Sequence, residues 1–373
     1  MNLKIRNKYL KYTLYSLTII FAIIGFVFMS VFFAVKLNLT KTKGSIDFND
    51  RYFQEISKNH TKDVSSDSVY NDVKRKLVLY QKVNILNDYY PKNAASILNV
   101  FTKTGDVNTG EKMFDAINLR LKNNTSYQEK IQGIDVTVNT SKKPDSIQKL
   151  NAFDWMNTEE WATLKEAMAK DKKVIDSVST VTGVSSRMIV SVLIGEQIRL
   201  FNSSREAFKK WMQPLKILTT ETKFSLGVTG IKEFTAIKTE TYLKDKKSPF
   251  YLGENYEHLL DFNTKEIQSE RYARLTDSKN HFYSYLYAAI SILQIKTQWE
   301  KAGLDISNRP EVLATLFNLG YEVSKPHKDP SVGGSRITIN QKVYTFGSLA
   351  FEFYYSGELN KEFPLTGQIF TLN

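Results

Sequence analysis

The chain contains no cysteine in its 373 residues, and only 8 prolines, 17 glycines and 4 histidines. The absence of cysteine excludes a disulfide scaffold, a cysteine-ligated zinc site and a thiol nucleophile. The small number of prolines and glycines, together with 42% hydrophobic residues, excludes a largely disordered chain. Because the histidines show no spacing typical of metal ligands, we expect no metal site.

Acidic residues are fewer than basic ones, 39 against 51, which leaves a net charge of +12 with histidine neutral. A positive surplus favours an anionic partner, such as nucleic acid, anionic lipid or an anionic cell-wall polymer. The basic residues are spread along the chain without an aromatic-interleaved stripe, which argues against nucleic acid. A diffuse positive surface would suit an anionic glycan or a phosphate-bearing wall.

Charge is also missing from residues 12–35, which read YTLYSLTIIFAIIGFVFMSVFFAV. As a helix, at about 1.5 Å per residue, this segment would cover roughly 36 Å, enough to cross a hydrocarbon core of about 30 Å. The denser basic cluster precedes it, which places residues 1–11 in the cytoplasm. The sequence thus predicts an uncleaved transmembrane anchor and a single-pass protein of the cytoplasmic (inner) membrane. Its C-terminal domain would be periplasmic or otherwise extracytoplasmic.

The remaining chain is predicted to be mainly α-helical, with an accessory, mostly helical region over residues 36–150 and a further helical domain over residues 151–373. Apolar periodicity predicts a long helix over residues 69–90, whereas alternating apolar residues over 127–143 indicate a short strand or an extended linker. Pro144 and its polar neighbours indicate the boundary between the two regions. In one alternative, the accessory region carries the main function by binding envelope proteins.

Helix signals are stronger beyond the boundary. Asn157 is predicted to cap one helix, and Ser185 to cap the apolar helix that contains Glu196 near its C-terminal end. Burial and the negative end of a helix dipole both raise the pKa of a carboxyl group. An acid that keeps its proton near neutral pH is what cleavage of a glycosidic bond requires. A solvated glutamate, or one paired with Arg199, is the alternative interpretation.

Three segments carry a resemblance to a known family. GVSSRMIVSVLIGEQIR resembles the first motif of the soluble lytic transglycosylase and goose-type lysozyme family, in which an apolar helix carries the single catalytic glutamate. SLGVTGIKEFTA resembles the second motif, a Ser-x-Gly turn that enters a helix. LATLFNLG resembles the third, whose core is here Phe317-Asn318-Leu319-Gly320. The segments follow one another in the family's order.

The resemblance implies a lysozyme-like helical domain that cleaves the glycan strands of peptidoglycan. Glu196 would protonate the β-1,4 oxygen between N-acetylmuramic acid and N-acetylglucosamine, and would then accept a proton from the sugar's own 6-hydroxyl. The product would be a 1,6-anhydro end, formed without a metal or organic cofactor. A hydrolytic muramidase would instead need a second carboxylate, for which Glu221 and Glu233 are the candidates. The expected substrate-binding residues are Ser225, Gly227, Phe317, Asn318 and Tyr344, with residues 321–347 as a loop on the substrate side.

Three positions depart from the family pattern. Gln197 follows the glutamate where serine is usual, Gly230 stands where glutamine is usual, and Phe317 replaces a tyrosine. These departures favour the alternative of a non-catalytic peptidoglycan-binding or envelope-assembly protein.

Overall fold

The computed structural model describes residues 69–134, 150–201 and 225–365, together with residues 12, 15–19, 21–22, 26 and 29. The chain is mainly helical in these ranges. All described residues from 69 onward belong to one compact unit, which includes residues on both sides of position 150.

The prediction of a transmembrane anchor is wrong. A span needs about 20 consecutive apolar residues in one helix. Within the part of the chain that the structure describes, none of the helices is both long and apolar enough to cross a membrane. This finding overturns the predicted fold class, in which residues 12–35 form a membrane helix, and the predicted single-pass inner-membrane localisation with it. The residues of that segment not named above lie outside the described residues.

The accessory region contributes four helices to the described structure. They are α1 (Val69–Asn87), α2 (Pro91–Thr104), α3 (Val107–Arg120) and α4 (Thr125–Gln132). Proline occupies the first position of α2, where no amide donor is needed. Asn124 caps α4 by accepting a hydrogen bond from the backbone nitrogen of Tyr127 at 3.0 Å. Residues 125–132 are therefore helical and Tyr127 is buried, so the short strand or extended linker predicted from residue 127 is wrong as far as residue 132. The predicted boundary at Pro144 lies outside the described residues.

Eight further helices and two short hairpins follow within residues 150–201 and 225–365. They are α5 (Glu159–Lys170), α6 (Lys172–Thr182), α7 (Ser186–Phe201), the antiparallel pair β1 (Ser225–Leu226) and β2 (Ile231–Lys232), α8 (Glu233–Lys244), α9 (Ile267–Thr276), α10 (Phe282–Lys301), α11 (Pro310–Leu319), the antiparallel pair β3 (Arg336–Ile339) and β4 (Lys342–Thr345), and α12 (Phe346–Ser356). Two 3₁₀ turns, Asp154–Asn157 and Glu254–Tyr256, complete the elements described.

The caps of α5 and α7 show how local chemistry sets these helix starts. Thr158, and not the predicted Asn157, caps α5: its hydroxyl accepts from the backbone nitrogen of Trp161 at 3.2 Å. The Asn157 side chain is instead bonded to the backbone of Asn151. Ser185 caps α7 as predicted, because its hydroxyl accepts from the nitrogen of Met188 at 3.2 Å.

Helix α7 lies at the centre of the unit. It packs against α5, α6, α10, α11 and α12, and every side chain from Met188 to Ile194 is at most 2% exposed. A helix that is apolar on all faces is stable in water only when it is surrounded in this way. The residues that follow Ile194 are therefore held in place by the core.

The accessory helices are joined to the rest of the unit through two buried carboxylates. Glu352 of α12, which is fully buried, accepts from Trp155 Nε1 at 2.8 Å and from Arg120 of α3. Glu358 pairs with Lys92 of α2 and Lys165 of α5. Because buried carboxylates require donors, these contacts fix how the accessory helices pack against α12.

Candidate functional site

Glu196 lies in the penultimate turn of α7 and is only 6% exposed. The glycine before it allows α7 to approach the start of α12 closely: a Cβ atom at Gly195 would lie 2.7 Å from the ring of Phe346. The packing of α7 against α12 therefore sets the position of the Glu196 carboxyl group.

Two donors from different parts of the chain contact this carboxyl group. Arg199, one turn further along α7, forms an ion pair with Oε2. Asn318, near the end of α11, donates from Nδ2 to Oε1 at 3.5 Å. The orientation of the Asn318 amide is fixed because its Oδ1 accepts from the backbone nitrogen of Ser335 at 2.8 Å. A cation and an amide donor both favour the ionised form of a carboxyl group.

The turn between β1 and β2 packs against the same carboxyl group. Gly230, with φ +66°, comes so near that a Cβ atom there would lie 2.5 Å from Glu196 Oε2 and 2.6 Å from its Cδ. A residue with a side chain is therefore excluded while Glu196 keeps this position. A glutamine at this position would require the carboxyl group to move. The close approach thus gives a direct steric reason for a glycine at position 230.

The structure consequently brings the three family-like segments together at Glu196. Of the predicted substrate-binding residues, Asn318 touches the carboxyl group. Gly227, with φ +60°, lies in the β1–β2 turn, and the backbone of Ser225 pairs within that hairpin.

The other two predicted residues belong to the packing of the fold. Phe317 is half-buried against the core. Tyr344 is buried on β4, where burial raises its pKa to about 12, and Arg120 lies over its ring at 5.9 Å. This contact places Tyr344 on the side of the accessory helices.

Neither candidate for a second carboxylate, Glu221 or Glu233, is shown in contact with Glu196 by the described residues. Glu233, at the start of α8, lies 3.7 Å from Arg271 Nη1. The same guanidinium donates from Nε and Nη2 to Glu240, each at 2.7 Å. Glu233 is therefore part of an ion-pair cluster between α8 and α9. Glu221 lies outside the described residues.

A chain of hydrogen bonds runs from Gln197 towards the surface. Gln197 Nε2 donates to the Tyr285 hydroxyl at 3.3 Å, and that hydroxyl donates to Asp171 Oδ2 at 2.8 Å. His281 Nδ1 lies 2.7 Å from the same oxygen, and this hydrogen bond raises the pKa of the imidazole. The pKa of Tyr285 is raised because it is buried beside the Asp171 carboxylate. These contacts hold the end of α7 against α10 and the α5–α6 junction.

Sequence reasoning missed part of this site. The sequence predicts that the loop over residues 321–347 lies on the substrate side, but only the structure shows that this loop holds Asn318, which in turn contacts the carboxyl group. Its Gly334 has φ +90°, and a Cβ atom there would lie 3.1 Å from Asn318 Oδ1. The Gly333-Gly334 pair was the available signal, because a glycine pair permits close backbone approach.

Neither a metal site nor a relative is found for this arrangement. Within residues 69–134, 150–201 and 225–365, no group of three or more histidine, aspartate or glutamate side chains is placed to hold a metal ion. In comparisons with known proteins, the chain matches no family model, no curated protein and no solved structure.

Proposed function

We propose that this protein cleaves the β-1,4 glycan strand of peptidoglycan with Glu196 as its single acid and base. The observation that carries the proposal is the meeting of three segments, distant in sequence, at one buried carboxyl group. Asn318 Nδ2 lies 3.5 Å from Glu196 Oε1, and Gly230 packs so closely against Glu196 Oε2 that a side chain at position 230 would not fit. Carboxyl groups held by convergent polar groups are typical of catalytic acids and bases.

In the proposed reaction, Glu196 first donates a proton and later accepts one. Glu196 gives its proton to the glycosidic oxygen as the bond from that oxygen to the anomeric carbon breaks. The 6-hydroxyl of the same sugar then bonds to the anomeric carbon, and its proton passes to the Glu196 carboxylate. The sugar ends as a 1,6-anhydro product and Glu196 is again protonated. The Asn318 amide, which donates to Oε1, would stabilise the carboxylate between the two transfers.

Digestion of purified peptidoglycan tests the proposal. The full chain should release fragments with 1,6-anhydro ends, detected by mass spectrometry, and Glu196→Gln should abolish their release. Glu233→Gln is the matched control, because the Glu233 carboxylate is paired with Arg271 whereas that of Glu196 is paired with Arg199. It should retain activity. Release of anhydro fragments by Glu196→Gln, or their absence from the wild-type digest, would contradict the assignment.

A second candidate is a protein that binds peptidoglycan without cleaving it. The ion pair of Glu196 with Arg199 favours this alternative, because a guanidinium opposes the protonated state that a general acid needs. Co-sedimentation with insoluble peptidoglycan, without the release of fragments of any kind, would identify a binding protein.

A further inference from the structure

Arg199 makes only part of the contact that its guanidinium can form. Its Nη2 bonds to Glu196 Oε2. Its Nε is buried and has no hydrogen-bond partner among the residues that the structure describes. Nε and Nη2 together form one edge of the guanidinium, and that edge can hold both oxygens of a carboxylate. The contact with Glu196 therefore satisfies one of the two donors on this edge.

Another arginine of the same protein shows the complete contact. Arg271 donates from Nε and Nη2 to the two oxygens of Glu240, each at 2.7 Å. Glu196 cannot do the same for Arg199 in this position, because its Oε1 faces Asn318 on the other side. A buried donor without a partner is unfavourable, so a ligand that accepts a hydrogen bond from Nε gains affinity from it.

Arg199 is also the more accessible member of the pair. Its side chain is 17% exposed, against 7% for Glu196. The guanidinium lies 5.8 Å from the centre of the Phe346 ring, which is fully buried and supports it from the core side. A ligand arriving from solvent would therefore meet the Arg199 side chain before the Glu196 side chain.

We propose that Arg199 is a specificity-determining residue that binds a carboxylate carried by the glycan next to the bond to be cleaved. The ligand's two oxygens take the Nε–Nη2 edge and displace Glu196 from it. Glu196, no longer paired with a cation, can then hold the proton that the first step requires. This inference rests on the proposed function. It names the substrate as an acidic glycan, whose carboxylate comes either from the lactyl group of peptide-free muramic acid or from a stem peptide.

A binding experiment tests this role without cleavage. Isothermal titration uses short strands with free lactyl carboxylates, strands with stem peptides, and both kinds after amidation of their carboxyl groups. Glu196→Gln removes the internal competitor for Arg199. It should bind the carboxylated strands about tenfold more tightly than the wild type, which corresponds to about 1.4 kcal/mol. Arg199→Gln should bind carboxylated and amidated strands equally.

Controls separate this result from a general effect on folding or charge. Arg199→Lys keeps the charge but not the planar edge, so it should show an intermediate preference. Arg75→Gln, which removes a different arginine–glutamate pair, should bind like the wild type. Thermal melts identify variants that fail to fold.

The outcomes distinguish this inference from the proposed function. A preference for free lactyl strands or for peptide-bearing strands identifies the source of the carboxylate, and either supports the role of Arg199. Equal binding of carboxylated and amidated strands by the wild type and by Glu196→Gln would overturn it, as would an unchanged preference in Arg199→Gln. Cleavage that persists in Glu196→Gln would remove the proposed function, while the titration would still decide what Arg199 binds.

Discussion

Replacing Gly230 with alanine tests whether the β1–β2 turn positions the Glu196 carboxyl group. The new Cβ atom would lie 2.5 Å from Oε2, 2.6 Å from Cδ and 2.9 Å from Cγ of Glu196. Real Cβ contacts are not that short, so something must move. The end of the glutamate side chain moves more easily than the backbone, and we expect the carboxyl group to be displaced from Asn318.

The loss of folding stability expected for Gly230→Ala has two parts that can be measured separately. An alanine at φ +66° costs about 1–2 kcal/mol because of its left-handed backbone. Overpacking against Glu196 adds about 1–3 kcal/mol. Activity should fall further than stability, because a displacement of about 1 Å at a reacting group can reduce a rate by about 100-fold.

Gly105→Ala provides the matched control. Gly105 has φ +65°, almost the same as Gly230, but a Cβ atom there would have nothing within 4 Å. Urea denaturation of both variants gives the backbone cost from Gly105→Ala and the contact cost from the difference. The double variant Gly230→Ala with Glu196→Ala should recover most of that difference, because the clashing atoms are gone. If Gly230→Ala costs no more than Gly105→Ala, or if the double variant recovers nothing, the turn does not position the carboxyl group.

Two further predictions concern stability and pH. Burial alone would raise the pKa of Glu358, but hydrogen bonds from Lys92 and Lys165 outweigh it and hold the pKa below its ordinary value. The Glu358→Gln variant should therefore be less stable than the wild type by about 1–3 kcal/mol at pH 7. The urea midpoints of the two proteins should converge as the pH falls below about 4, because the wild-type carboxylate is then protonated. A difference between the midpoints that does not change with pH would contradict this. The hydrogen bond to Asp171 raises the pKa of His281, so its stabilisation is complete below about pH 6.5 and is lost as the pH rises through the raised value. His281→Gln should thus be destabilised most near pH 6 and least near pH 9, and a gap that grows with pH would refute the pairing.

The position of Glu196 could be anticipated from the sequence because it follows from periodicity and capping. Ser185 starts α7, and the uninterrupted apolar run that follows must be buried on all sides. A glutamate directly after such a run has to lie at the border of the core. The order of the three segments then indicated that Asn318 and the β1–β2 turn would be near it, and in the structure they are. The family resemblance and the chemistry stay predictions.

Other features depend on contacts that no local pattern encodes. Gly230 and Glu196 are in contact although residues 202–224 lie between them in the sequence. The ion pair between Arg199 and Glu196 forms only if it is more favourable than the hydration of the two separate side chains. Residues 127–132 alternate like a strand, but the Asn124 cap and the burial of Tyr127 make them helical. The apolar run over 12–35 is long enough for a membrane span by hydropathy, yet none of the described helices meets that requirement.

Helix α12 connects the accessory region to the candidate site. Its first residue, Phe346, lies against Gly195 and Gly334 and within 5.8 Å of Arg199, so it supports three parts of the site. Six residues further along the same helix, Glu352 accepts from Arg120 of the accessory region. An interior helix moves as a rigid unit because close packing leaves little space for bending. Helix α12 therefore carries both a contact with the accessory helices and the contacts that support the surroundings of Glu196.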